Sequence, residues 1–207
     1  MSRRIGFLGG TFDPIHKGHI AIASHVRQVL ELDEMQLIPN QIPPHKNAAQ
    51  VSSVMRLKMV EIAAKKAQMS VNSLELQKPE PSYSIYTVQE LRKAYPQDQL
   101  YFVMGMDSFA SLSKWFRWNE LLDWVNLVVC QRPSDKMPSE GAEFELWQRH
   151  QAVANSQVKA GEIICLQNPN YEISSSQIRS ALANKNQLVV QWLEPEVLEF
   201  IQQNKFY

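Results

Sequence analysis

Short, solidly apolar runs alternate along the chain with longer stretches of helical spacing. Ile5 to Leu8 is apolar without a polar alternate and ends on Gly9-Gly10. Leu100 to Met104, Leu127 to Gln131 and Ile163 to Leu166 are largely apolar in the same way, and Gln36 to Pro39 and Val71 to Leu74 read as further short strands. Runs of this kind predict strands buried on both faces. Between them, Ile22, Val26, Val29 and Leu30 predict a helix starting near Gly18. Ser52 or Ser53 caps a second, running to Lys66. Ile85, Val88 and Leu91 place a third over Ser84 to Ala94. Ser174 to Ala183 and Pro195 to Gln203 read as two more, the latter with proline in its first turn. Pro39 to Lys46 holds too many prolines for a helix and is a loop. Lys136 to Gly141 reads as a surface turn between strand and helix.

Strands alternating with helices predict an α/β fold: a Rossmann-like, doubly wound, mostly parallel sheet with helices on both faces. The reading is one domain over 1–207, with a small helical part from about residue 174. Ligands of such sheets bind beyond the carboxyl ends of the strands, where the strand order reverses. Unusual sequences follow Leu8, Pro39, Met104 and Gln131, all at such ends.

Composition narrows the class. The 207 residues suffice for one sizeable core; 44% are hydrophobic and 20% charged, as in an ordinary globular domain. Lys plus Arg and Asp plus Glu both number 21, for zero formal charge. That balance argues against long nucleic acid as the main ligand and leaves room for a small anion held by local cations. No apolar run approaches a membrane span, and the start of the chain lacks the apolar stretch of a secretory signal. Cys130 and Cys165 each sit in an apolar run, as buried free thiols of a reducing compartment would. The expected location is the cytoplasm. Assembly into a homo-oligomer is left open.

The segment Gly9-Gly10-Thr11-Phe12-Asp13-Pro14-Ile15-His16-Lys17-Gly18-His19 joins the first strand to the first helix. Its glycines allow a ligand close to the backbone. The following helix N-terminus offers free N–H groups to phosphate. Two imidazoles three residues apart at that end can both serve one phosphate cluster. The chain contains neither GxxxxGK[ST] nor GxGxxG, so a P-loop and a hydride-transfer dinucleotide site are unsupported. The segment resembles the GGxFxPxHxGH motif of the nucleotidyltransferase superfamily of the His-x-Gly-His class. From Gly9 to about Tyr207 the chain is similar to the bacterial nicotinate-nucleotide adenylyltransferase family.

The resemblance implies roles residue by residue. His16 and His19 would contact the ATP phosphates and assist transfer, with Gly9, Gly10, Thr11 and Phe12 forming the nucleotide loop. Ile173-Ser174-Ser175-Ser176-Gln177-Ile178-Arg179 is by itself a capped helix start and an anion site. It resembles the family segment that grips the ATP phosphates, with Ser176 where threonine is usual, so Ser176 and Arg179 are assigned there. Pro43-Pro44-His45-Lys46 resembles the loop beside the reacting phosphates and makes Lys46 a charge stabiliser; His45 could merely shape the loop. Gly105 and Asp107, in Gly105-Met106-Asp107-Ser108, match a nucleotide-binding turn, and Arg132 matches an arginine near the nucleotide.

Pro81 to Thr87 resembles the segment whose threonine, here Thr87, binds the ring carboxylate together with the backbone at Phe116. Ser84 replaces a threonine in it. Tyr83 belongs to the same substrate group, and Trp115 would stack on the pyridine; Trp118 fits a core role better. The implied reaction is transfer of AMP from ATP to nicotinate mononucleotide, with Mg²⁺ on the triphosphate and no dedicated metal cluster. Tyr83 to Thr87 and Trp115 favour a pyridine over phosphopantetheine or a cytidylyl acceptor, whereas the choice of acid over amide stays open. The opposing reading is a catalytically idle nucleotide-binding module, which the joint presence of His16, His19, Lys46 and Arg179 disfavours.

Overall fold

A computed structural model describes residues 2–41, 49–77, 82–154, 158–168 and 173–207. Seven strands form one sheet: β1 (Arg4–Gly10), β2 (Glu34–Pro39), β3 (Ser70–Val71), β4 (Gln99–Gly105), β5 (Asn126–Gln131), β6 (Gln151–Ala152) and β7 (Ile163–Gln167). Their order is β3-β2-β1-β4-β5-β7-β6, and every pairing among them is parallel. The chain moves outward from β1 to β2 and β3, then returns past β1 to β4. The reversal of order therefore falls between β1 and β4, and the loop after β1 opens on it.

Among the described residues, eight α-helical segments accompany the sheet: α1 (Lys17–Val29), α2 (Ser53–Ala67), α3 (Ser84–Ala94), α4 (Met106–Phe109), α5 (Ala142–His150), α6 (Ser175–Ala183), α7 (Val189–Trp192) and α8 (Pro195–Asn204). Both faces of the sheet are buried, which is why the strands read as unbroken apolar runs. Val128 and Cys130 of β5 enter one core with Val26 of α1 and Leu30 at its C-cap. Leu127 and Val129 enter the other with Ile85, Val88 and Leu91 of α3. Each such side chain contributes about 1.5–3 kcal/mol of transfer free energy. The C-terminal helices belong to the first core: Ile178, Val189, Leu193, Val197 and Ile201 pack there with Val60 and Ala63 of α2.

The expected strand over Val71 to Leu74 is shorter. β3 stops at Val71, and Leu74–Gln77 is a 3₁₀ turn. Asn72 is the cause. Its side-chain oxygen accepts from the Leu74 N–H at 3.0 Å, and its amide donates to Gln36 at 2.8 Å. A local side-chain turn outcompetes the ladder there. α4, α7 and β6 are too short to leave a periodic signal.

Candidate functional site

The carboxyl end of β1 passes into α1 through a tightly held loop. Phe12 adopts φ 49° and buries its ring edge-on against His19, with centroids 5.0 Å apart. His16 caps α1 with extended backbone, and its N–H donates to His19 Nδ1 at 3.3 Å. The two imidazoles stack at 3.7 Å. Gly18 makes this arrangement possible. A Cβ there would lie 3.0 Å from His16 Nδ1 and 3.1 Å from Ile173 Cγ2. His16 is 6% exposed, and its Nδ1 has no hydrogen-bond partner among the described residues. Burial pulls its pKa down to about 4, and the Arg132 charge acts in the same direction. His16 is thus a neutral imidazole at pH 7.

A second helix N-terminus meets the same loop. Ser174 caps α6, accepting from the Gln177 N–H at 3.3 Å, while Gln177 Oε1 accepts from the Ser174 N–H at 2.8 Å. This reciprocal capping satisfies two orphan donors. The Ser175 hydroxyl donates to Pro14 O at 3.0 Å. Arg179 donates to Asp13 O at 2.7 Å and to the exposed Ser176 hydroxyl at 3.2 Å. Segments 9–19 and 173–179 are thus sewn together, bringing His16, His19, Ser176 and Arg179 to one place. Arg132 stands at the end of β5 with an exposed side chain, and its backbone N–H is held by Asp135.

Two residues that the sequence reading passed over organise this edge. Arg56 of α2 is 1% exposed and donates only to carbonyls: Thr11 at 2.5 Å, Asn40 at 2.8 Å, Gln41 at 3.1 Å and Val51 at 3.3 Å. It ties the loop after β1 to the loop after β2. The signal was present, since Arg56 precedes Met59, Val60 and Ala63 at helical spacing on the buried stripe of α2. Asp13, 5% exposed, accepts from the Gln50 N–H at 2.9 Å and from the Tyr207 hydroxyl at 2.6 Å. Lys46 and His45 lie outside the described residues.

At the end of β4, the exposed Asp107 folds its carboxylate back over Gly105; a Cβ on that glycine would stand 2.6 Å from Asp107 Oδ1. A third group lies beyond. Ser82 Oγ accepts from the Gln41 N–H at 3.0 Å, which joins the α3 entry to the Arg56 junction. Tyr83, Tyr86 and Phe116 form an aromatic trio, with Phe116 5.1 Å from Tyr83 and 5.9 Å from Tyr86. Phe116 is 46% exposed, while Trp115 and Trp118 lean on the second core. Glu143 of α5 anchors this turn by accepting from the Ser113 N–H at 2.9 Å. Thr87 is 3% exposed and donates its hydroxyl to Glu75 at 2.6 Å. Tyr86, Glu75 and Glu143 were not anticipated, because their partners come from distant segments.

Among the described residues, no three His, Cys, Asp or Glu side chains converge into a metal-holding cluster, and no helix is long and apolar enough to cross a membrane. Burial lifts the Cys130 thiol to about 12 and raises that of Cys165 as well, so neither is poised as a nucleophile.

Residues 7–181 match the family model described as cytidylyltransferase-like. A protein of Shewanella sp. strain ANA-3 named "Probable nicotinate-nucleotide adenylyltransferase" is 41% identical over 211 residues, covering 99% of each chain. One of the same name from Shewanella baltica strain OS195 is 38% identical over 214 residues, again covering 99% of both. The fold is similar to that of Plasmodium falciparum nicotinic acid mononucleotide adenylyltransferase complexed with NaAD. That likeness has a TM-score of 0.74 at 18% identity and covers 98% of this chain and 96% of the other.

Proposed function

The chain belongs to the cytidylyltransferase-like family, and from that premise we propose that it is a nicotinate-nucleotide adenylyltransferase acting in NAD biosynthesis in the cytoplasm. The observation that carries this reading is the meeting of two helix N-termini, those of α1 and α6, on one loop that holds the stacked His16–His19 pair and Arg179. Such a place gathers N–H donors and positive charge around a polyphosphate.

A 5′-phosphate oxygen of nicotinate mononucleotide attacks the α-phosphorus of ATP. The new P–O bond forms in line with the departing bridge oxygen, and pyrophosphate leaves with that electron pair. The nucleophile belongs to the substrate, so the protein positions reactants and stabilises charge. Arg179 and Arg132 supply fixed positive charge. His16, neutral, and His19 supply imidazole donors along the triphosphate. Lys46 adds a further cation. Gly9, Gly10, Thr11 and the backbone at Phe12 let the nucleotide lie close, and Gly105 and Asp107 take its ribose side.

The side chains favour a metal carried in on the nucleotide. Asp13 is buried with a protein donor already on each carboxylate oxygen, and Asp107 is exposed and part of no metal-holding cluster among the described residues. Mg²⁺ would therefore be held mainly by phosphate oxygens and water, neutralising the leaving group.

Tyr83, Trp115 and Phe116 form the pyridine side, with Thr87 beneath. Because Thr87 gives its proton to Glu75, it presents only lone pairs. A ring amide could donate to it as it stands; a ring carboxylate requires the hydroxyl to turn, or the Phe116 N–H to bear the load. The deciding experiment measures kcat/KM for nicotinate and nicotinamide mononucleotides with ATP and Mg²⁺, on the wild type and on His19→Ala. The expected result is a strong preference for the acid and a loss of roughly a hundredfold or more in the variant. Equal use of both mononucleotides would reject the acid assignment at Thr87. No pyrophosphate from either would reject the pyridine reading in favour of phosphopantetheine or a non-catalytic nucleotide binder.

A further inference from the structure

We propose that Tyr207 is a positioning residue of the nucleotide site, acting through Asp13 to keep Arg179 available to phosphate. The geometry is specific. Arg179 Nη1 donates to the backbone carbonyl of Asp13 at 2.7 Å but lies 3.9 Å from the Asp13 carboxylate, beyond hydrogen-bond reach. The two carboxylate oxygens are occupied by other donors: Oδ1 by the Tyr207 hydroxyl at 2.6 Å, Oδ2 by the Gln50 N–H at 2.9 Å. With both oxygens satisfied, the carboxylate does not close on the guanidinium beside it. Burial, then the bond and charge of Asp13, drive the Tyr207 hydroxyl far above its ordinary range, so it remains a donor at any working pH. Asp13 also faces the buried Arg56, whose charge it supports.

Removing the Tyr207 hydroxyl leaves a nearly buried carboxylate oxygen without a donor. The cation placed to answer is Arg179, whose guanidinium already lies 3.9 Å from Oδ2 of the same carboxylate and can form a charge-assisted bond once that carboxylate is free to turn. Its charge would then be spent on Asp13 instead of on the nucleotide. The effect should fall on the nucleotide and leave the pyridine side untouched.

This inference rests on the nucleotide reading of the site, and the test separates the two. Calorimetric titration with ATP alone is run on the wild type, Tyr207→Phe, Asp13→Asn and the double variant, with thermal melts establishing that each is folded. Wild-type binding of ATP secures the reading underneath. Tyr207→Phe should then weaken ATP roughly tenfold, with KM for the mononucleotide unchanged. In the Asp13→Asn background, where no carboxylate remains to capture Arg179, the same change should cost less than about twofold. If Asp13→Asn fails to fold, the cycle is closed with Arg179→Met, in which Tyr207→Phe should likewise lose its effect. Equal ATP affinity in the wild type and Tyr207→Phe would overturn the proposal, as would a penalty that persists in the second background. A wild type that binds no ATP would remove the underlying reading first.

Discussion

His16 shows how one residue can be legible in chemistry and illegible in environment. Its place in a loop between strand and helix, three residues from His19, makes it from the sequence a candidate phosphate contact. Its burial does not follow from that spacing. It goes with close packing at Gly18, where the His16 ring and Ile173, 157 residues away in sequence, both approach the backbone. Burial sets a testable sign. In the unfolded chain the imidazole titrates near 6.5, and in the folded protein near 4. As pH falls, the unfolded state takes up the proton first. The contribution of His16 is therefore complete above pH 6.5 and is lost as pH falls toward 4, to the extent of about 3 kcal/mol. Urea melts at pH 7.0 and pH 4.5 should show a larger loss for the wild type than for His16→Gln; equal losses would contradict a buried neutral imidazole. Arg56 was missed for the opposite reason. An arginine on a helix is ordinarily solvated; its place on the apolar stripe of α2 marks burial, but its four carbonyl partners in three segments leave no mark in a linear pattern.

At the scale of elements, the strands were readable because a doubly covered sheet demands continuous apolar runs, and β1, β4, β5 and β7 obey. α3 fell where Ile85, Val88 and Leu91 placed it. β3 was overrun by Asn72, whose side chain bends the backbone before Leu74. α6 carries the most consequential local device, the reciprocal capping of Ser174 and Gln177. Ser174→Ala should cost about 1 kcal/mol in chemical denaturation. It should also loosen the neighbouring Ser175 and Arg179 contacts to the first loop, so the loss of ATP affinity ought to exceed that of an exposed control such as Ser180→Ala. Equal effects at both positions would mean that the cap merely starts a helix.

On the scale of the whole molecule, the site is an agreement between ends of the chain and middle strands, held at the switch point between β1 and β4. The fold class and the cluster of His16, His19 and Arg179 followed from pattern and motif. The links that align the loops, Arg56 to Thr11, Asn40 and Gln41, and Asp13 to Gln50 and Tyr207, required three dimensions. Since the proposed nucleotide contacts fall on loops from several strands, binding should stabilise the molecule globally. At a hundred times its dissociation constant, ATP contributes about 2.7 kcal/mol, or a rise of about 5–10 °C in Tm. A scanning calorimeter with and without ATP measures this, and an unchanged Tm at saturating ATP would argue against a nucleotide site built across these loops.

The bond between Tyr207 and Asp13 spans 194 positions of sequence. A ribosome delivers residues in order, so the glycine loop and its histidines exist long before the serine run, Arg179 and Tyr207 that complete their surroundings. A nascent chain can pair β1 with β2 and still lack half of the proposed polyphosphate grip. The proposed site is therefore complete only once Arg179 has been made, and a chain stopped before that residue would carry the histidine motif without the arginine that meets its loop.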